Sequence, residues 1–276
     1  MIVNNTNFPL ISVLIPAYNA EKFIRQSIDS ILNQTYKNIE VIIIDDASTD
    51  GTWKIIQEYS NKDKRIKAYR NRYNIYIAAN RNKLLKLAKG KYIAWQDADD
   101  ISMPNRLEHQ YRYLEKHLEV GILGGYLKIF NVSNQNIGIR KYSENDAELR
   151  KKIFRYSPIA QPTAMIRKSV IDEIGYYNLK YPPAEDIDMS FRIGRKYKFA
   201  NLQEITLKYR EDNNSATFKR LKKIELTTLT VRFINSKKGY NMTLIDKLLT
   251  YLQFISIFII PTFIKIKLFD LLRNSH

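Results

Sequence analysis

Short apolar runs alternate with helix-period segments through the first hundred residues, and this alternation constrains the fold more tightly than any other feature. Leu10–Ile15 (LISVLI), Glu40–Ile44 (EVIII) and Lys91–Trp95 (KYIAW) are aliphatic-rich and of strand length, with a weaker run at Arg65–Tyr69. Between them, Glu21–Asn33, Thr52–Ser60 and Ile77–Ala88 show helical spacing, as in Phe23, Ile24, Ile28, Ile31 and Leu32. Continuous apolar runs mark strands covered on both faces, and strands joined through helices cross over right-handedly into parallel pairs. The expected fold class is α/β, with a mostly parallel central sheet flanked by helices.

In such sheets ligands bind beyond the carboxyl ends of the strands. Polar residues follow the apolar runs at that edge three times: Pro16-Ala17-Tyr18-Asn19, Asp45-Asp46-Ala47-Ser48-Thr49-Asp50 and Gln96-Asp97-Ala98-Asp99-Asp100. Further along, the spacing predicts helices at Met103–His117 (Pro104 in the first turn), 143–155 and Glu185–Lys196. Strands are expected within 121–140 and at Ala164–Ile166, with Ile205–Tyr209 as the last. We expect a domain over 1–215, divided near residue 100, and a basic, apolar helical tail over 216–276.

Composition removes several function classes. With no cysteine among 276 residues, disulfide scaffolds, thiolate zinc sites and cysteine nucleophiles are excluded, and a reducing compartment fits. Histidine occurs only at 109, 117 and 276, which disfavours histidine metal centres and serine–histidine hydrolysis. No GxGxxG follows the first strand, against a nicotinamide dinucleotide site. The start lacks a basic region and a small-residue cleavage site, so no signal peptide is expected. A net charge of +17 points to nucleic acid, an anionic membrane or a phosphorylated substrate. Residues 216–276 hold 11 Lys/Arg against 3 Asp/Glu, so nearly half of the excess sits in the last fifth of the chain.

Three acidic constellations carry candidate chemistry. In an extended segment Asp97 and Asp99 would point the same way, as hard-oxygen ligands for Mg²⁺ or Mn²⁺ that bridge to a diphosphate. A solvated acidic turn capping the next helix is the plain alternative. Ser48, Thr49 or Asp50 would make an ordinary N-cap, whereas Asp45 and Asp46 are not needed for one and suit a base N–H or ribose hydroxyl. Glu185, Asp186 and Asp188 complement a helix dipole, but three carboxylates in four residues also repel, which raises at least one pKa toward that of a general base.

The segments VLIPAYN, VIIIDDASTDGT, YIAWQDADDISMPNRLE, QPTAMIRKSVIDEIGYY and AEDIDMSFR, in this order and spacing over residues 10–212, resemble glycosyltransferase family 2 proteins of GT-A fold. The resemblance implies inverting, metal-assisted transfer from a nucleotide diphosphate sugar, most often a UDP-sugar, to a hydroxyl of a glycan, glycolipid or glycoprotein. It implies that Pro16, Ala17, Tyr18 and Glu21 line the nucleotide pocket, with Asp46, and Asp45 beside it, at the base. Arg81 and Asn82 would lie near the donor phosphates. The Asp97-Ala98-Asp99 segment would face the donor, Asp97 at the ribose or sugar and Asp99 at the metal. Asp186 would be the base, with Gln161, Glu185 and Asp188 on the acceptor side. The chain departs from the family pattern at Tyr76 and Leu84, where glycine is common, at Gln161, where histidine is frequent, and at Tyr176, in place of the second glycine of GGY. The departures bear on donor-sugar and acceptor contacts.

Two rival readings are a basic nucleic-acid binder and a catalytically inactive sugar-nucleotide-binding relative. Acidic clusters along the cleft and intact Asp97, Asp99 and Asp186 weigh against them, and no nucleic-acid partner is expected. Between Lys247 and Lys265 lie 17 uncharged residues, LLTYLQFISIFIIPTFI. At about 1.5 Å per residue they reach about 26 Å, short of a hydrocarbon core of about 30 Å. With cations on both sides this predicts an interfacial anchor on an anionic leaflet; packing on the domain or a second subunit, and spanning, are the alternatives. Placement is expected to be cytoplasmic or peripheral on the cytoplasmic membrane face.

Overall fold

The structure is a computed structural model that describes residues 8–211 and 216–275. The domain boundary expected at residue 215 and His276 lie outside the described residues.

The first half forms as the alternation predicts. Strand β1 (Ile11–Ala17), helix α1 (Ile24–Leu32), β2 (Ile39–Asp45), α2 (Thr52–Lys62), β3 (Ile66–Arg70), α3 (Tyr76–Leu87) and β4 (Tyr92–Trp95) follow in turn. The strands lie in the order β3-β2-β1-β4, all parallel, with Ala17 opposite Asp45 and Leu14 opposite Trp95. Alternate side chains leave on opposite faces, as the pleat requires. Val13, Ile15, Val41 and Ile43 pack under α1 and α2, while Leu14, Ile42 and Ile44 pack under α3 and the later helices. Both faces are covered, which is why these runs are apolar throughout.

Beyond β4 the sheet becomes mixed. After β5 (Ile101–Ser102) and α4 (Arg106–Lys116) comes the long β6 (Val120–Asn131), which turns back into β7 (Asn136–Arg140). Helix α5 (Asp146–Lys152) precedes β8 (Met165–Arg167), which enters antiparallel between β4 and β6. Helices α6 (Lys168–Ile174) and α7 (Glu185–Gly194) lead to β9 (Lys198–Glu211), parallel to β6 and antiparallel to β5. The expected last strand at Ile205–Tyr209 is therefore the distal part of a 14-residue strand. Gly124 and Gly125 permit its close approach, since a Cβ there would meet Asn201 Oδ1 at 2.4 Å and Thr206 Cγ2 at 2.3 Å.

The tail is docked. Helix α8 (Ala216–Ser236) buries Val231 in the same cluster as Phe154, Phe191 and Tyr240. In α9 (Leu244–Ile259), Asp246 closes a capping box with Thr243 and accepts from Arg155 Nε at 2.8 Å. Helix α10 (Thr262–Arg273) ends in β10 (Asn274–Ser275), which pairs with β7. Among the described residues no helix is long and apolar enough to cross a membrane.

Candidate active site

The carboxyl ends of β1, β2 and β4 converge on one edge, and three loops there are stitched together by side chains. Asn19 N–H donates to Ser48 Oγ at 2.9 Å, and Thr49 N–H donates back to Asn19 Oδ1 at 2.9 Å. Glu21 reaches across to accept from Gly51 N–H at 2.9 Å, where a Cβ on Gly51 would lie 2.4 Å from its Oε1. Asp50 accepts from Thr52 N–H at 3.0 Å and from Glu21 N–H at 3.2 Å. Of the three expected caps it is Asp50 that meets the first turn of α2, although Gly51 holds the N-cap position.

Asn19, Ala47 and Tyr76 have φ of 49°, 60° and 65°, left-handed conformations that cost an L-residue about 1–2 kcal/mol. All three sit at this edge, where such strain gathers in binding sites. Tyr76, at a position where the resemblance implies glycine, adopts the positive φ that glycine tolerates without strain.

Pro16 and Ala17 are buried within β1, and Tyr18 is half exposed at the rim. Asp45 is fully buried, accepts from Ser48 N–H at 3.3 Å and pairs with Arg70 at 3.0 Å. Asp46 Oδ1 accepts from Asn71 Nδ2 at 2.8 Å and Ile75 N–H at 2.9 Å, fixing the loop into α3. Both acids thus have structural duties that capping arguments did not anticipate.

The Asp97-Ala98-Asp99 segment differs from expectation in one respect. Strand β4 stops at Trp95, and residues 97–100 form a turn in which Asp100 N–H reaches Asp97 O at 3.3 Å, so the extended-strand argument for parallel carboxylates does not apply. A buried network shapes the turn instead. Arg106 donates to Trp95 O at 2.7 Å, Ser102 Oγ at 2.8 Å, Gln96 Oε1 at 3.1 Å and Gln110 Oε1 at 3.1 Å. Gln96 Nε2 in turn holds Asp100 O at 2.8 Å. Burial draws the Arg106 guanidinium down to about 10, with Asp100 and Asp97 opposing the shift. From β9, Arg210 donates to Asp99 O at 3.0 Å with its guanidinium between the Phe23 and Phe130 rings, 4.3 and 4.4 Å away.

Opposite the turn, α3 and α7 bring a cation among acids. Arg81 Nη1 donates to Glu185 Oε1 at 2.9 Å, and its Nη2 lies 3.8 Å from Asp97 Oδ1. The guanidinium lies 5.5 Å from the Trp95 ring and 5.8 Å from the Tyr177 ring. Asn82 and Tyr177 exchange side-chain and backbone hydrogen bonds at 2.9 and 2.8 Å, and Gln161 donates to Tyr177 Oη at 2.8 Å. Glu185, Asp186 and Asp188 occupy the first turn of α7, as the spacing predicts. Asp188 is engaged by Arg192 Nε at 2.9 Å, so its carboxylate orders the helix. Asp186 accepts from Ile187 N–H at 2.8 Å and takes no side-chain partner among the described residues.

Burial, more than mutual repulsion, raises the Asp186 carboxyl above the usual aspartate range; Arg81 opposes the rise and Asp97 adds to it. The same cause raises Asp97 and Glu185. Asp100 is raised well above that range, by burial first and then by Asp99 and Asp97. For these acids the stability contribution is fully present below the unfolded aspartate pKa of about 4 and is lost as pH rises through the folded value.

Among the described residues no cluster of three or more carboxylate or histidine side chains could cage a metal alone. Asp97 and Asp99 lie on one turn, and Mg²⁺ or Mn²⁺ bound there would be of the mode in which one or two carboxylates share the ion with waters and substrate phosphates.

Residues 12–175 match the family model for glycosyl transferase family 2. An uncharacterized glycosyltransferase of Methanocaldococcus jannaschii is 34% identical over 281 residues, covering 98% of this chain and 96% of that protein. The chain belongs to glycosyltransferase family 2. The Escherichia coli glucosyltransferase WfaP, named for UDP-glucose and an N-acetylglucosamine-diphosphoundecaprenol substrate, is 46% identical over 106 residues, 38% of this chain and 41% of WfaP. In fold, the transferase is similar to S. aureus TarS solved with UDP-GlcNAc, at TM-score 0.67 and 20% identity over 90% of this chain and 72% of that one. It is likewise similar to the Pyrobaculum calidifontis mannosyltransferase PcManGT with GDP-mannose and Mn²⁺, at 0.65 and 16% over 92% and 71%. The protein is a nucleotide-sugar transferase of GT-A fold, with the α/β sheet and C-terminal helices described above.

Gln96 and Arg106 lie within quoted segments but drew no role from sequence, and Arg210 was not singled out. Arg106 looks like any cation on an amphipathic helix; its only signal is Gln110 one turn on, in a segment just after an acidic turn. Arg210 lies at a strand end far along the chain and carried no signal.

Proposed function

We propose that the enzyme transfers a sugar, with inversion, from a UDP-sugar to a hydroxyl of a glycan or lipid-linked acceptor, with Asp186 as general base. The observation that carries the reading is Asp186 itself: a half-buried carboxylate with raised pKa and, among the described residues, no side-chain partner, on the helix turn whose Glu185 holds Arg81 beside Asp97. The acceptor hydroxyl gives its proton to Asp186 while its oxygen bonds to the anomeric carbon. The bond from that carbon to the diphosphate oxygen breaks, and its electron pair leaves with the diphosphate.

Asp46 is suited to the nucleobase because Asn71 and Ile75 fix its Oδ1, which leaves Oδ2 as the oxygen that would accept from an imide N–H. Tyr18 at the rim offers a stacking surface. Asp99, with Asp97 beside it, would hold Mg²⁺ or Mn²⁺. The bound ion would supply charge neutralisation on the departing diphosphate. WfaP favours a UDP donor and a lipid-linked acceptor by its name, and TarS favours UDP by its ligand.

Calorimetric titration with UDP, GDP, CDP and dTDP, each with Mn²⁺ and with EDTA, tests the donor assignment. Metal-dependent binding of UDP alone is expected; binding of GDP in its place would reject the nucleotide. Asp99→Asn should weaken the metal-dependent part at least about tenfold, and an unchanged Mn²⁺ dependence would remove Asp99 from that role.

Activity requires ionised Asp186, so it should rise with pH through a pKa above that of a free aspartate. Arg81→Gln removes the cation that opposes the rise, so the acid limb of the rate profile should move to higher pH. A limb that stays in place would disconnect Arg81 from the base.

A further inference from the structure

Helices α9 and α10 expose apolar side chains along much of their length. Leu244, Leu248, Tyr251, Leu252, Phe258 and Ile259 form one stripe along α9, between 50% and 83% exposed. The helical turn of 100° per residue places all six within about 140° of arc. Asp246 and Ile257, the two buried positions of α9, lie on the opposite side, turned into the domain. In α10, Phe263 (64% exposed) and Leu271 (71%) are exposed as well. Monomeric soluble proteins rarely expose contiguous apolar surface on this scale.

The charges around the stripe select its occupant. The tail from residue 216 holds 11 Lys/Arg against 3 Asp/Glu. Two of those three acids are already engaged, Glu225 by Lys265 at 2.8 Å and Asp246 by Arg155 at 2.8 Å. Lys222 places its ammonium 4.8 Å from the Phe258 ring, and Arg220, Lys222 and Lys223 line one open groove on α8. Arg220 also stacks 5.7 Å from Tyr76, at the rim of the candidate donor cleft.

We infer that the α9–α10 face lies in the plane of an anionic lipid bilayer, its apolar stripe among the acyl chains and the α8 cations at the headgroup phosphates. A second copy of the chain is disfavoured because an isologous contact would bring this basic region against itself. The attachment leaves the cleft rim at Tyr76 within reach of a lipid-borne acceptor, which rests on the acceptor reading above; the attachment itself does not.

Co-sedimentation of the full chain with phosphatidylcholine vesicles, without and with phosphatidylglycerol, tests the inference. Binding to the mixed vesicles should exceed binding to phosphatidylcholine alone and should weaken with salt. Leu248→Glu with Phe258→Glu should reduce it at least about tenfold, since two buried apolar contacts become charges. Nucleotide binding and the far-ultraviolet circular dichroism of that variant should be unchanged, which separates lost attachment from lost fold. Sedimentation with neither vesicle overturns the inference. So does a dimer in light scattering without lipid that the double substitution returns to monomer. Failure of UDP binding would overturn the donor reading and leave this one standing.

Discussion

Replacing Asp186 by Asn should abolish transfer while nucleotide binding survives. The carboxylate sits in the first turn of α7, and among the described residues its hydrogen-bonding partner is backbone. Its loss therefore removes no side-chain interaction on which the fold depends. An amide of nearly the same shape keeps an acceptor for Ile187 N–H but cannot take a proton from the acceptor. General-base catalysis is worth about 10²–10⁴-fold, so kcat should fall by at least that lower bound with the dissociation constant for UDP within a few-fold of the parent. Single-turnover transfer read beside calorimetry separates the two quantities. A variant that retains full turnover would remove Asp186 from the reaction, and Glu185 is no substitute because Arg81 already holds its Oε1.

Arg106 should produce the largest loss of stability of any residue around the donor turn. It is 1% exposed and makes four hydrogen bonds to Trp95 in β4, Gln96, Ser102 in β5 and Gln110 in α4, the segments that flank the turn. Arg106→Met fills a similar volume but leaves Trp95 O and Gln110 Oε1 without their donor in a dry interior, while Gln96 Oε1 keeps the Ser102 hydroxyl. Each orphaned acceptor costs about 1–3 kcal/mol, which sets the expected loss for the two at about 2–6 kcal/mol. For a chain of this size that corresponds to a fall of about 10 °C in Tm by thermal melting. Nucleotide binding should weaken as well, because the freed turn carries Asp97 and Asp99. Arg106→Lys restores charge but not the fork of donors and should recover only part of both losses. A Tm within a degree or two of the parent would show that the network does not hold the turn.

The two residues illustrate different kinds of legibility. Asp186 lies in a short acidic motif at the start of a helix, so its type, place and neighbours were all visible in the linear order. The same holds for the parallel half of the sheet: aliphatic runs separated by helical segments leave few topologies, because short crossovers must be right-handed. The acidic character of the segment after β4, the strand edge bearing Asp45, and the apolar character of residues 248–264 were legible for the same local reasons.

Other features follow from long-range packing. Asp45 and Asp46 look free in sequence, yet Arg70, Asn71 and Ile75 claim them through loop closure. The Arg81–Glu185 contact joins residues 104 apart, and Arg210 reaches Asp99 across 111. No periodicity encodes which distant cation meets which carboxylate. Nor could propensity show that α8 shares the catalytic core through Val231 while α9 turns its charge-free stripe outward. Local physics thus determined the strands, helices, first-turn acids and apolar tail. Tertiary structure decided which acids are spent on structure, which is left without a side-chain partner among the described residues, and which side of the tail faces outward, because pairing and burial depend on partners brought together only by the fold.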